Sequence, residues 1–292
     1  MKAPFHWTQL SPTIRRTILV VAIVIIWQAW VELFHVPQLL FAAPSDVAHT
    51  LVTDFANGSL AQATVHTLEI LVIGMLVGGA LGILLAAFGV LSSVGHDLLR
   101  VLTSAFNPLP AIAVLPLAML WFGLTPRSIV FVVALATVWP IALNTESGFR
   151  TISSTLRMVA QNLGLRGRRL IFDVLLPGAL PQIITGAKTS WAFGWRTVVA
   201  AELVFGVAGA SGGLGWYISN ARYYLQTPAM FAGLVTISAL GLLVEALFNV
   251  VENRTVVRWG MSLATEGGER APAPAAEELV ESETAQEPAP TR

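Results

Sequence analysis

An all-α, polytopic membrane protein with about six transmembrane helices is the fold class this sequence predicts, and three observations predict it. Of 292 residues, 55% are hydrophobic and only 12% charged, with a mean hydropathy of +0.70; soluble domains carry about 25% charged residues. Apolar runs long enough to cross a bilayer recur along the chain. Lys and Arg gather in one set of the connecting segments. Formal net charge is zero, so no nucleic-acid partner is expected, and the absence of cysteine excludes disulfides and thiol chemistry.

Residues 1–16 read as a polar N-terminus with Lys2, Arg15 and Arg16. Residues 17–34 are the first span. Trp27 and Trp30 look like an interfacial anchor and no small-residue cleavage site follows, so a retained helix is expected over a cleaved signal peptide. Asp46 reads as the N-cap of a surface helix over 47–55, broken by Asn57-Gly58-Ser59. The second span is 68–91. Gly74, Gly78 and Gly82 recur every fourth residue in it, a spacing that lets a neighbouring helix approach closely.

Residues 92–100 read as a short polar turn, and 101–122 as the third span. That span is interrupted by Asn107-Pro108-Leu109-Pro110 and by Pro116. Prolines inside a span free backbone carbonyls, which is tolerated against protein or a water-filled cavity. A kinked packing helix and a path-lining helix both fit, and Asn107 and Pro110 are the path candidates. The fourth span is 128–143. A polar insert, 144–181, precedes the fifth span at 182–207. Residues 208–228 are glycine-rich, then polar and aromatic, and read as an external loop with partial helix. The sixth span is 229–251. The tail, 262–292, is Ala, Pro, Glu, Thr and Ser, too poor in apolar residues to fold, and is expected to be disordered.

Six spans put both termini on one side. That set of faces holds Lys2, Arg15, Arg16, Arg100, Arg150, Arg157, Arg166, Arg168, Arg169, Arg254 and Arg258, and the other holds Arg127 and Arg222. The bias makes the termini and the insert cytoplasmic.

No phosphate-binding loop, zinc-protease helix or nucleophile elbow is present, and the five histidines stand singly without ligand spacing. The charges inside spans are the informative ones, because each is costly unless it faces a cavity or a partner. Lys188 lies about 9 Å into the fifth span and can snorkel to the interface. Arg196 lies about 21 Å in, too deep for that. Two readings of it stay open: a structural pairing with dipoles or a distant acid, or a path-lining residue that attracts an anion. Glu202, six residues on, falls on a different helix face and is grouped with the path candidates. In the insert, Leu156, Val159, Ala160 and Leu163 make an apolar stripe at helical spacing, Gly164 ends it, and Arg166, Arg168 and Arg169 follow. Such a helix fits either a groove on a soluble partner or the lipid interface.

Gly164 followed by Leu176-Pro177, with Ala160 before them and Val174 at an isoleucine position, resembles the cytoplasmic EAA loop of ABC importer permeases. Met158 and Val159 depart from that loop's acidic start. NPLPAIAVLPLAMLWFG (107–123), WPIALNT (139–145), VAAEL (199–203), SGGLGWYI (211–218) and VVRWGM (256–261) resemble the permeases of the taurine, aliphatic-sulfonate and nitrate import group. The resemblance implies a type I importer permease over 17–261. It implies two copies as a homodimer, cytoplasmic ABC ATPase subunits, a periplasmic solute-binding protein and a bacterial inner membrane. ATP and Mg would bind the ATPase, with no cofactor or metal in this chain and no enzyme activity of its own. It makes Leu156, Val159, Ala160, Leu163, Gly164, Arg166, Arg168, Arg169 and Pro177 the coupling surface. The broken span and the charges within spans make Asn107, Pro110, Arg196 and Glu202 the candidates for the translocation path of a small anionic solute, whether a sulfonate, a nitrate-like ion or an aromatic carboxylate. An ion-coupled secondary transporter and a non-transporting membrane scaffold are the alternative classes.

Overall fold

The computed structural model describes residues 11–207 and 212–257. Residues 1–10, 208–211 within the glycine-rich stretch, and 258–292, including the tail expected to be disordered, lie outside the described residues. Every regular element described is helical.

Helix α1 (Pro12–Leu33) opens on Ser11, whose hydroxyl oxygen accepts the Ile14 amide at 3.4 Å. Its flank is uncovered: Ile23, Ile25 and Ile26 are all exposed, as a lipid-facing helix requires. One end alone holds it. Trp27 packs on Phe41 and Phe231 with centroids 5.6 and 5.5 Å apart, Trp30 meets Phe41 edge-on, and Gln28 exchanges two hydrogen bonds with Ser45. Helix α2 (Pro44–Ala56) starts two residues before Asp46. Ala43 is the N-cap and Pro44, which lacks an amide hydrogen to satisfy, takes the first helical position. Asp46 thus sits inside the first turn, where its charge suits the helix dipole.

Gly58, at φ +85°, breaks the chain, and α3 (Ser59–Leu91) follows. The second span therefore begins nine residues earlier than read, because nothing between 59 and 68 stops a helix. At 33 residues α3 is about 50 Å long, well beyond the ~30 Å hydrocarbon layer. The turn expected over 92–100 is helix instead. Ser92 is extended (φ −144°, ψ 147°) and its hydroxyl oxygen accepts the Gly95 amide at 2.9 Å, so it caps α4 (Ser93–Phe106). The break at 107–110 is real and large. A 3₁₀ turn (Ala111–Val114) and α5 (Leu115–Phe122) continue at 87° to α4. The third span is thus a bent pair starting at 93.

Helix α6 (Pro126–Thr151) runs eight residues past the 143 boundary and absorbs Asn144 to Arg150. Pro140 does not end it, and the Asn144 side-chain Nδ2 donates to the Pro140 carbonyl at 2.8 Å. The insert contains α7 (Ser154–Asn162), α8 (Arg168–Leu170), a π turn (Ile171–Leu175) and α9 (Leu176–Gly178). Helix α10 (Leu180–Val207) leaves at 74° to the 168–178 run. The loop read at 208–228 is mostly α11 (Gly213–Tyr223), with Leu214, Tyr217, Ile218 and Ala221 buried. Helix α12 (Thr227–Glu252), followed by a π turn (Asn253–Val257), closes the described chain. It holds Lys188, whose Nζ donates to Asn249 at 2.7 Å. Among the described residues, four helices are long and apolar enough to cross a membrane, or up to six if each bent pair is one span.

The core is α3, α6 and α10. In lipid, neighbouring helices gain little from the hydrophobic effect, so close van der Waals packing has to hold them. Gly74, Gly78 and Gly82 supply it on α3. A Cβ at Gly74 would fall 2.5 Å from Val133, one at Gly78 2.6 Å from the Ala134 carbonyl, and one at Gly82 2.7 Å from the Val138 carbonyl. Gly186 and Gly194 seat α10 on α6 in the same way. The Ser190 hydroxyl donates to the Thr137 carbonyl at 2.9 Å, a side-chain bond fixing the register of α10 against α6.

Candidate functional site

A cavity of about 380 Å³ lies where the 107–110 break meets α6 and α10. Asn107 and Pro110 line it from the break, Arg196 and Phe193 from α10, and Ala136 and Trp139 from α6. Pro140 has no amide hydrogen, so the Ala136 carbonyl loses its helical partner, and Ala136 is on the cavity wall. Trp139 is fixed by stacking on Phe106, 5.8 Å away at 9°. Arg196 is exposed and no carboxylate pairs with it among the described residues. The cavity therefore offers a guanidinium, a side-chain amide and aromatic walls: a place for a small anion with an apolar part.

Glu202 is elsewhere. It is 1% exposed and faces away from the cavity that holds Asn107, Pro110 and Arg196. The Thr67 hydroxyl lies 2.9 and 2.8 Å from its two oxygens, and the Gly215 amide donates to it at 3.0 Å. The same Thr67 oxygen accepts the Leu214 amide at 2.7 Å. Together Thr67 and Glu202 satisfy the first amides of α11, so a side chain of α10 caps another helix. Gly213, at φ +81°, leaves no space for a Cβ beside that carboxyl group. What holds it apart from the other three is this set of donors, the Thr67 hydroxyl and the Gly215 amide, which satisfy a buried carboxyl group where it stands.

Further along α11, the buried Tyr217 hydroxyl donates to Asp54 of α2. Burial first, then the hydrogen bond and charge of Asp54, push its pKa above the usual tyrosine range. The raised folded value means this contribution is complete below about pH 10, where the unfolded tyrosine titrates, and fades above it. Melting curves of wild type and Tyr217→Phe should therefore be separated at pH 8 and converge as pH rises past about 10. A constant separation across that range would rule out the bond to Asp54 as its source.

The insert forms a second surface. Ser153 caps α7, its hydroxyl oxygen accepting the Leu156 amide at 3.3 Å. Gly164, at φ +80°, ends it in a Schellman turn: the Leu165 amide reaches the Ala160 carbonyl and the Gly164 amide that of Gln161, both at 3.0 Å. The predicted stripe divides. Ala160 turns inward at 3% exposure and packs with Phe149, Leu170 and Leu175. Leu156, Val159 and Leu163 face out at 48%, 49% and 76%, with Met158 beside them at 55%. Arg166, Arg168, Arg169 and Pro177 are exposed around this patch. Among the described residues no three His, Asp or Glu side chains approach closely enough to hold a metal ion.

A bundle of long apolar helices with a broken span, a polar cavity at the break and an uncovered amphipathic helix beyond the spans defines a membrane transport protein. Residues 74–257 match the family described as the binding-protein-dependent transport system inner membrane component. The chain belongs to that family and is the permease component of an importer. It is 33% identical over 239 residues to the putative aliphatic sulfonates transport permease protein SsuC of Escherichia coli strain K12, covering 82% of this chain and 89% of that one. It is 28% identical to the taurine transport system permease protein TauC of the same strain, over 78% and 84% of the two chains. With the nitrate import permease protein NrtB of Synechocystis it shares 27% identity over 62% of each.

Proposed function

We propose that this chain forms the translocation path of an ATP-driven importer for a small organic anion, as one of two identical copies in a bacterial inner membrane with both termini cytoplasmic. A soluble binding protein delivers the solute from outside. ATP and Mg bind separate cytoplasmic ATPase subunits, which dock on α7. The observation that supports this most is the uncovered Leu156–Val159–Leu163 patch on a helix fixed from behind by Ala160 and ended by the Gly164 turn. A helix so placed passes on movement at its outer face to α6 and α10. The solute class follows from Arg196, unpaired at the cavity, and from the names of the relatives, which include sulfonate, taurine and nitrate permeases.

The test is reconstituted uptake with the ATPase and binding protein present. Leu163→Asp should abolish uptake and ATPase docking while the permease still inserts and melts normally. Uptake that persists without the ATPase but collapses with the proton gradient would defeat the reading. Arg196→Ala should lower anion uptake at least tenfold, leave binding to the binding protein unchanged, and be partly restored in Arg196→Lys. Full uptake by Arg196→Ala would make this residue structural.

A further inference from the structure

A separate cavity of about 370 Å³ opens where the end of α3, the start of α4, the end of α6 and α7 converge. Its walls carry the Arg150 and Arg157 guanidinium groups, the His96 imidazole, and Ser92 and Ser93. Carboxylates only partly balance these charges. Glu146 is taken by Arg150, at 2.8 Å from Nη2 and 3.0 Å from Nε, and stands 3.9 Å from His96 Nε2. Asp97 lies beside His96 Nδ1 at 3.3 Å but is itself 80% exposed. No carboxylate reaches Arg157 among the described residues. Its Nη2 donates to the Phe149 carbonyl, and its Nε is enclosed without a partner, as is His96 Nε2. The Ser92 oxygen accepts the Gly95 amide, which leaves its proton free to donate.

An enclosed N–H donor without an acceptor, such as Arg157 Nε, is costly. Two guanidinium groups and two serine hydroxyls at one cavity form a donor set that matches tetrahedral oxyanions. The position selects among them. The cavity sits at the end of α3, whose length takes it past the hydrocarbon layer to headgroup level. Val94, Leu98 and Val101 run down the exposed side of α4 from the cavity mouth, an apolar track along which acyl chains can lie.

We propose that this cavity binds a phosphate group, supplied by the headgroup of an anionic phospholipid in the same leaflet. The ligand bridges Arg150 on α6 and Arg157 on α7. It therefore holds α7 at a set angle to the spans, and occupancy tunes how movement of α7 reaches α6.

The test uses the assembled transporter in nanodiscs of phosphatidylcholine with rising phosphatidylglycerol, and reads retained lipid by native mass spectrometry. One saturable phosphatidylglycerol per permease copy is expected. Ser93→Glu, an exposed position at the rim, should weaken it at least tenfold without changing the melting curve. Arg157→Gln should do the same. In a second arm, inorganic phosphate is titrated into the transporter in phosphatidylcholine discs. Saturable binding there that Ser93→Glu removes, with no preference for phosphatidylglycerol, keeps the phosphate site and moves its source to solution. Retention of phosphatidylglycerol and phosphate that is the same in wild type and both variants, or no saturable binding of either, overturns the proposal.

Discussion

Gly78→Val is expected to remove the folded permease from the membrane fraction. A Cβ at position 78 falls 2.6 Å from the Ala134 carbonyl and runs into the Thr137 hydroxyl. The carbonyl is backbone inside α6 and cannot rotate away, so α3 and α6 must separate. Overpacking of this kind costs about 3 kcal/mol or more, and it would also strip the adjoining Gly74 and Gly82 contacts. The neighbour Gly79 gives the comparison. Its Cβ would meet only the tip of the Ile141 side chain, at 3.2 Å, which can turn aside. Gly79→Ala should therefore insert and melt like wild type. Membrane-fraction yield and detergent melting of the two variants check this. Equal yields would mean that α3 and α6 are not held by that contact.

Glu202→Ala should lower the melting temperature by about 10 °C, on the order of 4 kcal/mol. Truncation leaves the Gly215 amide without its acceptor, deprives the Thr67 hydroxyl of its own, and opens a cavity in a site that is 1% exposed. Glu202→Gln keeps the volume and one acceptor oxygen, and should lose less than half as much. The split between the two variants is the informative readout. If alanine and glutamine behave alike, the loss comes from the altered charge and the capping of α11 is irrelevant to it. If neither variant shifts the melt, α11 does not depend on α10 for its start.

These two sites show what the sequence exposes and what it hides. The glycine ladder of α3 is a local repeat, so its meaning, a close helix contact, could be read without knowing the partner. Gly164 was equally legible, because a glycine at the end of an apolar helical stripe has few other uses. The break at 107–110 followed from its prolines, though its 87° angle did not. Glu202 stands apart from the other three candidates for a definite reason. A single acid in a span signals either a path or a buried bond, and the side chain that decides between them, Thr67, is 135 residues away. The glycines before α11 read as loop. Their role is to let a helix start lie against that carboxyl group, a tertiary fact. Ser92 failed in a smaller way: in a short polar stretch a capping serine and a turn serine look alike until the helix behind it is seen. Asn107, Pro110 and Arg196 were grouped as path candidates, and the fold puts these three around one cavity.

The sparse attachment of α1 bears on the order in which the chain is made. Of the described helices α1 is synthesised earliest, before almost all of the helices it could pack against. Phe41 follows within a few residues, but Phe231, the other ring against Trp27, arrives only after nearly every other helix has been threaded. The contact of Trp27 with Phe231 is therefore among the last to close as the chain is made. Until then α1 is a tethered passenger, orienting the nascent chain while the α3–α6–α10 core assembles without it.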